Sequence, residues 1–227
     1  IKLGEKDDIL EKWTNEESIK SKQIIKEGKD LLLALKEKAL ITAEQDVILM
    51  QAHGDILDNI LELQDEISIL IIGIKSHDKN KIGENVKDII RELNKPILLV
   101  NSEFITPKKI LIAYNGSEES KKILTTAVRN PIFKDVTRDI VNINDDKLFS
   151  EKILDEAKKI YAKSEIDIKT SVLSGDAKTE ILTYMYENDC DILAMGAFGH
   201  SRIKEFIFGS FTSEIIAQSK KPILFYR

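Results

Sequence analysis

The stretch HGDILDNILELQDEISILIIG (53–73) recurs in altered form as SGDAKTEILTYMYENDCDILAMG (174–196), and NKPILLV (94–100) recurs as KKPILFY (220–226). The offset is 121 residues between Gly54 and Gly175, 123 between Gly73 and Gly196, and 126 between Pro96 and Pro222. Such a slow drift reflects small insertions in the second copy, and a period this long means two similar domains, not a short-period solenoid. The boundary falls in NSEFITPKK (101–109), where Pro107 precedes a new apolar run. The repeat therefore divides the chain into residues 1–105 and 106–227.

The second copy alternates strands and helices. Apolar runs at Ile110–Tyr114, Ile140–Ile143, Ile166–Leu173, Asp191–Met195 and Ile223–Tyr226 predict five short strands. Helices are predicted between them over Glu118–Arg129, Lys147–Ala162, Gly175–Glu187 and Gly209–Ser219, with Asp176 as an N-cap. Strands separated by helices give an α/β fold: a doubly wound, mainly parallel five-stranded sheet with helices on both faces. The first copy is incomplete. A long helix opens at the capping box Thr14-x-x-Glu17, and strands are expected at Val47–Gln51, Ile67–Ile72 and Ile97–Val100. These match the last three strands of the second copy only. A remnant of this kind exposes a sheet edge. With Ile1 in place of a Met, the expectation is missing upstream sequence, or cover from the second half.

Composition narrows the function classes. Residues 1–105 carry 15 basic and 21 acidic groups, and residues 106–227 carry 19 and 18. Neither half is the basic surface that nucleic-acid binding requires, so no nucleic-acid partner is expected. No apolar run approaches the roughly 20 residues of a membrane span, so no membrane partner is expected either. One cysteine, Cys190, excludes a disulfide framework and fits a cytoplasmic setting. His53, His77 and His200 are not spaced with co-ligands, and no metal site is expected.

The chemistry-bearing pattern is Gly196-Ala-Phe-Gly199, nine residues, then Gly209-Ser210 at the start of the last helix. Glycines let backbone N–H groups approach an anion, and a helix start adds unsatisfied donors and partial positive charge. Ser210, Thr212 and Ser213 add hydroxyl donors, while Arg202 and Lys204 offer mobile charge. The pattern suits a phosphate chain at the carboxyl ends of the strands, where open α/β sheets bind ligands. It is neither a Walker A loop nor G-x-G-x-x-G. A turn that needs glycine only for backbone shape is the plainer alternative. His200 stands open between phosphate or ribose contact and plain loop exposure, and Arg202 and Lys204 between phosphate contact and solubility.

Residues 108–227 resemble a complete universal stress protein domain. The resemblance is carried by KKILIAYNGSEESKKIL, SGDAKTEIL and AMGAFGHSRIKEFIFGSFTSEIIAQSKKPILFYR. Residues 1–100 resemble a truncated, diverged second copy, so the whole is similar to tandem members of the family. The resemblance implies an adenine-nucleotide site, typically for ATP with or without Mg²⁺, and a regulatory role in the stress response. By that likeness Gly196, Gly199, His200, Gly209, Ser210, Phe211 and Thr212 stand at phosphate and ribose, with Arg202 nearby. Ala113, Tyr114 and Asn115 stand near adenine and ribose, Ile143 at adenine, and Met195 on the floor. The family often has an acidic residue where this chain has Asn115, which keeps hydrogen-bonding atoms and loses the charge. In the first copy, Gly73-Ile-Lys-Ser76 lacks the second glycine and Gly83-Glu84 replaces Gly209-Ser210, so an empty first site is expected.

Three functions follow as expectations. The first is an ATP-binding regulatory protein with a protein partner the sequence does not name. The second is a nucleotide-free scaffold that dimerises through its final strands, Ile97–Val100 and Ile223–Tyr226, pairing within or between chains. The third is a slow ATPase. No catalytic residue is assigned, because no acidic metal pair accompanies the glycine loop.

Overall fold

The computed structural model describes residues 15–40, 47–74, 83–100, 105–162, 164, 166–196 and 210–227. Two compact units divide the chain between Asp55 and Ile56. In the first, helix α1 runs Asn15–Leu40. Gly28 leaves room there for Gln51, whose Nε2 would sit 2.6 Å from an added Cβ and which donates to the Ile25 carbonyl at 3.3 Å. Residues 47–53 form no strand. The apolar run at Val47–Gln51 has no ladder partner among the described residues, and Ile48 and Met50 are exposed. A strand exists only where its backbone groups are paired, so the strand expected there is corrected to irregular chain.

The second unit holds one seven-stranded sheet in the order β1-β2-β7-β6-β3-β4-β5. Its strands are β1 Leu70–Gly73, β2 Ile97–Val100, β3 Lys109–Ala113, β4 Thr137–Ile143, β5 Ile168–Leu173, β6 Ile192–Gly196 and β7 Ile223–Tyr226. The helices are α2 Ile56–Glu62, α3 Glu84–Glu92, α4 Glu118–Arg129, α5 Lys147–Tyr161, α6 Ala177–Glu187 and α7 Ser210–Gln218. The five strands of the second copy lie side by side and parallel, as expected, and the first copy adds two more to the same sheet.

Alternation fixes the layers. Leu111, Val141, Leu193, Met195, Ile223 and Phe225 belong to one core with α3, α6 and α7 residues. Ile110, Ile112, Ile140, Ile192, Ala194 and Leu224 belong to the other, with α4 and α5 residues. Because both faces are covered, the strands read as continuous apolar runs. Within this core β4 carries Arg138, only 2% exposed. Its guanidinium donates to the Ala127 carbonyl at 2.7 Å, the Phe133 carbonyl at 2.5 Å and the Val136 carbonyl. The carbonyls at the carboxyl end of α4 and in the short 3-10 turn Pro131–Phe133 thus stabilise a buried charge.

The two final strands pair with each other. β2 and β7 run antiparallel, with Ile97 opposite Phe225, Leu98 opposite Leu224 and Leu99 opposite Ile223. Each has its other edge occupied as well, β2 by β1 and β7 by β6. The pairing expected within or between chains is made within the chain, so neither strand offers a free edge for self-association. The register also carries the repeat: Leu70–Gly73 meets Ile97–Val100 residue for residue as Leu193–Gly196 meets Ile223–Tyr226.

Candidate functional site

β3 leads out to α4 on one face, and β6 leads out to α7 on the other. The crevice at their carboxyl ends is the point where open α/β sheets bind ligands. A cleft of about 300 Å³ lies here. Ala113 and Tyr114 from the end of β3, Asn142 and Ile143 from β4, and Met195 and Gly196 from β6 form its floor. Asn115, Ser117, Asn144, Phe149, Ala177, Ile181 and Phe211 complete the lining.

The floor is held rigidly. Met195 is the register partner of Ala113. Asn142, 3% exposed, donates from Nδ2 to the Tyr114 carbonyl at 2.7 Å and accepts from Ser150 Oγ at 2.7 Å. One buried amide thus ties the exits of two strands to the first turn of α5. Tyr114 is 1% exposed and packs in the α4/α5 core, where burial, followed by the nearby Glu156 carboxylate, pushes its phenol pKa up.

Helix starts surround the cleft. Asn115 Oδ1 accepts from Ser117 N–H at 3.0 Å, and Ser117 Oγ caps α4 by accepting from Ser120 N–H at 3.2 Å. Gly116 sits at φ +80°, and a Cβ there would meet Ile153 Cδ1 at 2.9 Å. At Gly196 an added Cβ would lie 2.8 Å from Glu119 Cβ and 3.0 Å from Ser120 N, so glycine is what lets the first turn of α4 approach β6. Asp146 caps α5 through Phe149 N–H at 3.0 Å. Asp176 caps α6, its Oδ2 accepting from Thr179 Oγ1 at 2.7 Å and Thr179 N–H at 3.0 Å, and these bonds hold its carboxyl below the usual range. Lys178 of α6 pairs with Glu214 of α7. Four helix starts therefore border one largely apolar cleft. The combination fits a ligand with an apolar ring and an anionic tail.

Of the residues read from the sequence, the cleft brings together Ala113, Tyr114, Asn115, Ile143, Met195, Gly196 and Phe211. Ser210 opens α7, and Thr212 lies buried in its first turn, not in the lining. Gly199, His200, Arg202 and Gly209 lie outside the described residues. Sequence reasoning missed Ser117, Asn142, Asn144, Phe149, Ala177 and Ile181 as lining residues. The asparagines flanking Ile143, and Ala177 directly after the Asp176 cap, were the available signals. No three His, Cys, Asp or Glu side chains gather into a metal-binding group among the described residues. Among the described residues the lining holds no carboxylate, so those residues offer no ligand set for Mg²⁺. No helix among those residues is long and apolar enough to cross a membrane.

Fold and cleft together define an α/β protein of the doubly wound class with a ligand-sized crevice at its switch point. Residues 106–227 match the universal stress protein family, and the chain belongs to that family. It is 29% identical over 233 residues to universal stress protein Slr1230 of Synechocystis sp., covering 100% of this chain and 81% of that protein. It is 28% identical over 99 residues to stress response protein NhaX of Bacillus subtilis, covering 44% of this chain and 58% of that protein. The crystal structure of a universal stress protein from Archaeoglobus fulgidus superposes with a TM-score of 0.74 at 18% identity, covering 100% of this chain and 81% of that one. A functionally unknown protein, PA1789, from Pseudomonas aeruginosa superposes with a TM-score of 0.61 at 16% identity, over 87% and 75%.

Proposed function

We propose that the chain binds an adenine nucleotide, ATP with or without Mg²⁺, in the cleft between β3, β4 and β6, and acts as a nucleotide-responsive regulator in the stress response. The observation that carries this reading is the cleft itself: an apolar floor large enough for a nucleobase, bordered by the starts of α4, α5, α6 and α7. Ala113, Asn115, Ile143 and Met195 would face the nucleoside. Gly196 and the start of α7 at Ser210 and Phe211 would face the phosphates, with Thr212 buried behind them and with Gly199, His200, Arg202 and Gly209 assigned there from the family likeness. Any Mg²⁺ would be carried by the nucleotide's own oxygens.

Residues 106–227 form the complete nucleotide domain in this proposal, and residues 1–105 its degenerate companion, with no nucleotide at Gly73 and Gly83. The setting is cytoplasmic, the protein partner is unspecified, and hydrolysis is slow or absent. Pairing of chains through β2 or β7 is not proposed, since both strands have both edges filled.

Isothermal titration with ATP tests the reading. Saturable binding is expected, and Ser210→Glu should abolish it while the melting temperature stays the same, because a carboxylate at that helix start repels phosphate. Absence of heat and of competition at millimolar ATP overturns it. That outcome favours the nucleotide-free scaffold, for which the uncharged Asn115, already bonded to Ser117, is the supporting observation. A phosphate-release assay decides the slow ATPase.

A further inference from the structure

Phe149 lines the cleft and yet is 46% exposed. Among the described residues the other two aromatics of the lining are more covered: Tyr114 is buried in the α4/α5 core, and Phe211 is partly buried against the core on the opposite face. Phe149 is also held in place. Its N–H donates to Asp146 Oδ1 at 3.0 Å, and the next residue, Ser150, is fully buried with Oγ bonded to Asn142 at 2.7 Å. Asn142 in turn grips the Tyr114 carbonyl on the floor. The ring therefore stands at the mouth on a pinned helix turn, with part of its surface left to water. Leaving a large apolar surface wet at a rigid position has a cost that a flat ligand removes by covering it.

We infer that Phe149 is the stacking platform for the ring of the bound ligand, and that this contact gives the cleft its preference for a nucleobase-bearing ligand over a bare polyphosphate. The inference rests on the nucleotide reading above and adds a specificity residue to it. The phosphate end is served by backbone donors at helix starts, which do not distinguish ATP from inorganic tripolyphosphate. Discrimination must come from the apolar end, where, among the described residues, Phe149 is the most exposed lining aromatic. Base–aromatic stacking tolerates different bases, so GTP should be held through the same ring.

The experiment titrates ATP, adenosine and inorganic tripolyphosphate into the whole chain and into Phe149→Ala, Phe149→Trp and Leu148→Ala. Leu148 is the control: it neighbours Phe149, is 79% exposed and does not line the cleft. Phe149→Ala should weaken ATP and adenosine by about tenfold and leave tripolyphosphate unchanged. Phe149→Trp should restore ATP, and Leu148→Ala should match the parent. The inference is overturned if Phe149→Ala binds ATP like the parent, or if ATP and tripolyphosphate weaken together, which marks a merely structural role. A parent chain that binds neither ATP nor adenosine overturns the nucleotide reading itself, a result distinct from either of these.

Discussion

Asn115 shows how one residue can keep a shape while changing a charge. Its Oδ1 accepts from Ser117 N–H, a bond a carboxylate would also make. Asn115→Asp should therefore leave the turn intact and set a negative charge beside the cleft. ATP binding should weaken without Mg²⁺ and recover with it, as titration in EDTA and in Mg²⁺ will report; equal affinity in both would contradict the placement. Two buried groups give further tests. Burial, more than the nearby Asp139 carboxylate, pushes the Cys190 thiol up to about 11, so the native protein should resist a thiol reagent at pH 8 and react once unfolded. The Tyr161 phenol is pushed up to about 12 by burial, with the neighbouring Arg138 guanidinium opposing the shift. Its folded pKa lies above the unfolded value near 10, so the unfolded chain releases this proton first. The contribution is intact below pH 10 and is lost as pH rises towards 12, roughly 2–3 kcal/mol for this group. Tyr161→Phe should flatten that alkaline loss, measured by urea unfolding across pH.

At the scale of elements, the second copy was largely legible because its signals are local. Strands buried on both faces read as short apolar runs, and α4, α6, β2 and β7 match their expected spans to within two residues at each end. Asp176 was readable as a cap because an aspartate before a helix has one common use. Asp176→Ala should cost about 1 kcal/mol in thermal unfolding of the chain. Other features depend on tertiary neighbours and left no local mark. Nothing around Arg138 says that a charged residue in a strand will find three carbonyls, and Arg138→Met should cost about 3 kcal/mol by removing those charge-assisted bonds. Phe149 looked like one more helical residue; only the fold brings the first turn of α5 to the mouth of the cleft. Val47–Gln51 has strand composition without a ladder partner among the described residues.

For the whole molecule, the repeat predicts two related copies but not how they join. The seam is the antiparallel contact of β2 with β7, centred where Leu98 faces Leu224, both fully buried. Sequence left open whether that pairing was internal, since two strands of matching pattern pair equally well in one chain or across two. Because β2 and β7 sit on a single polypeptide, closing the seam is a unimolecular step: dilution does not open it, and mixed preparations have no halves to exchange. The tether thus supplies permanently the neighbour that a separate domain would have to meet by collision.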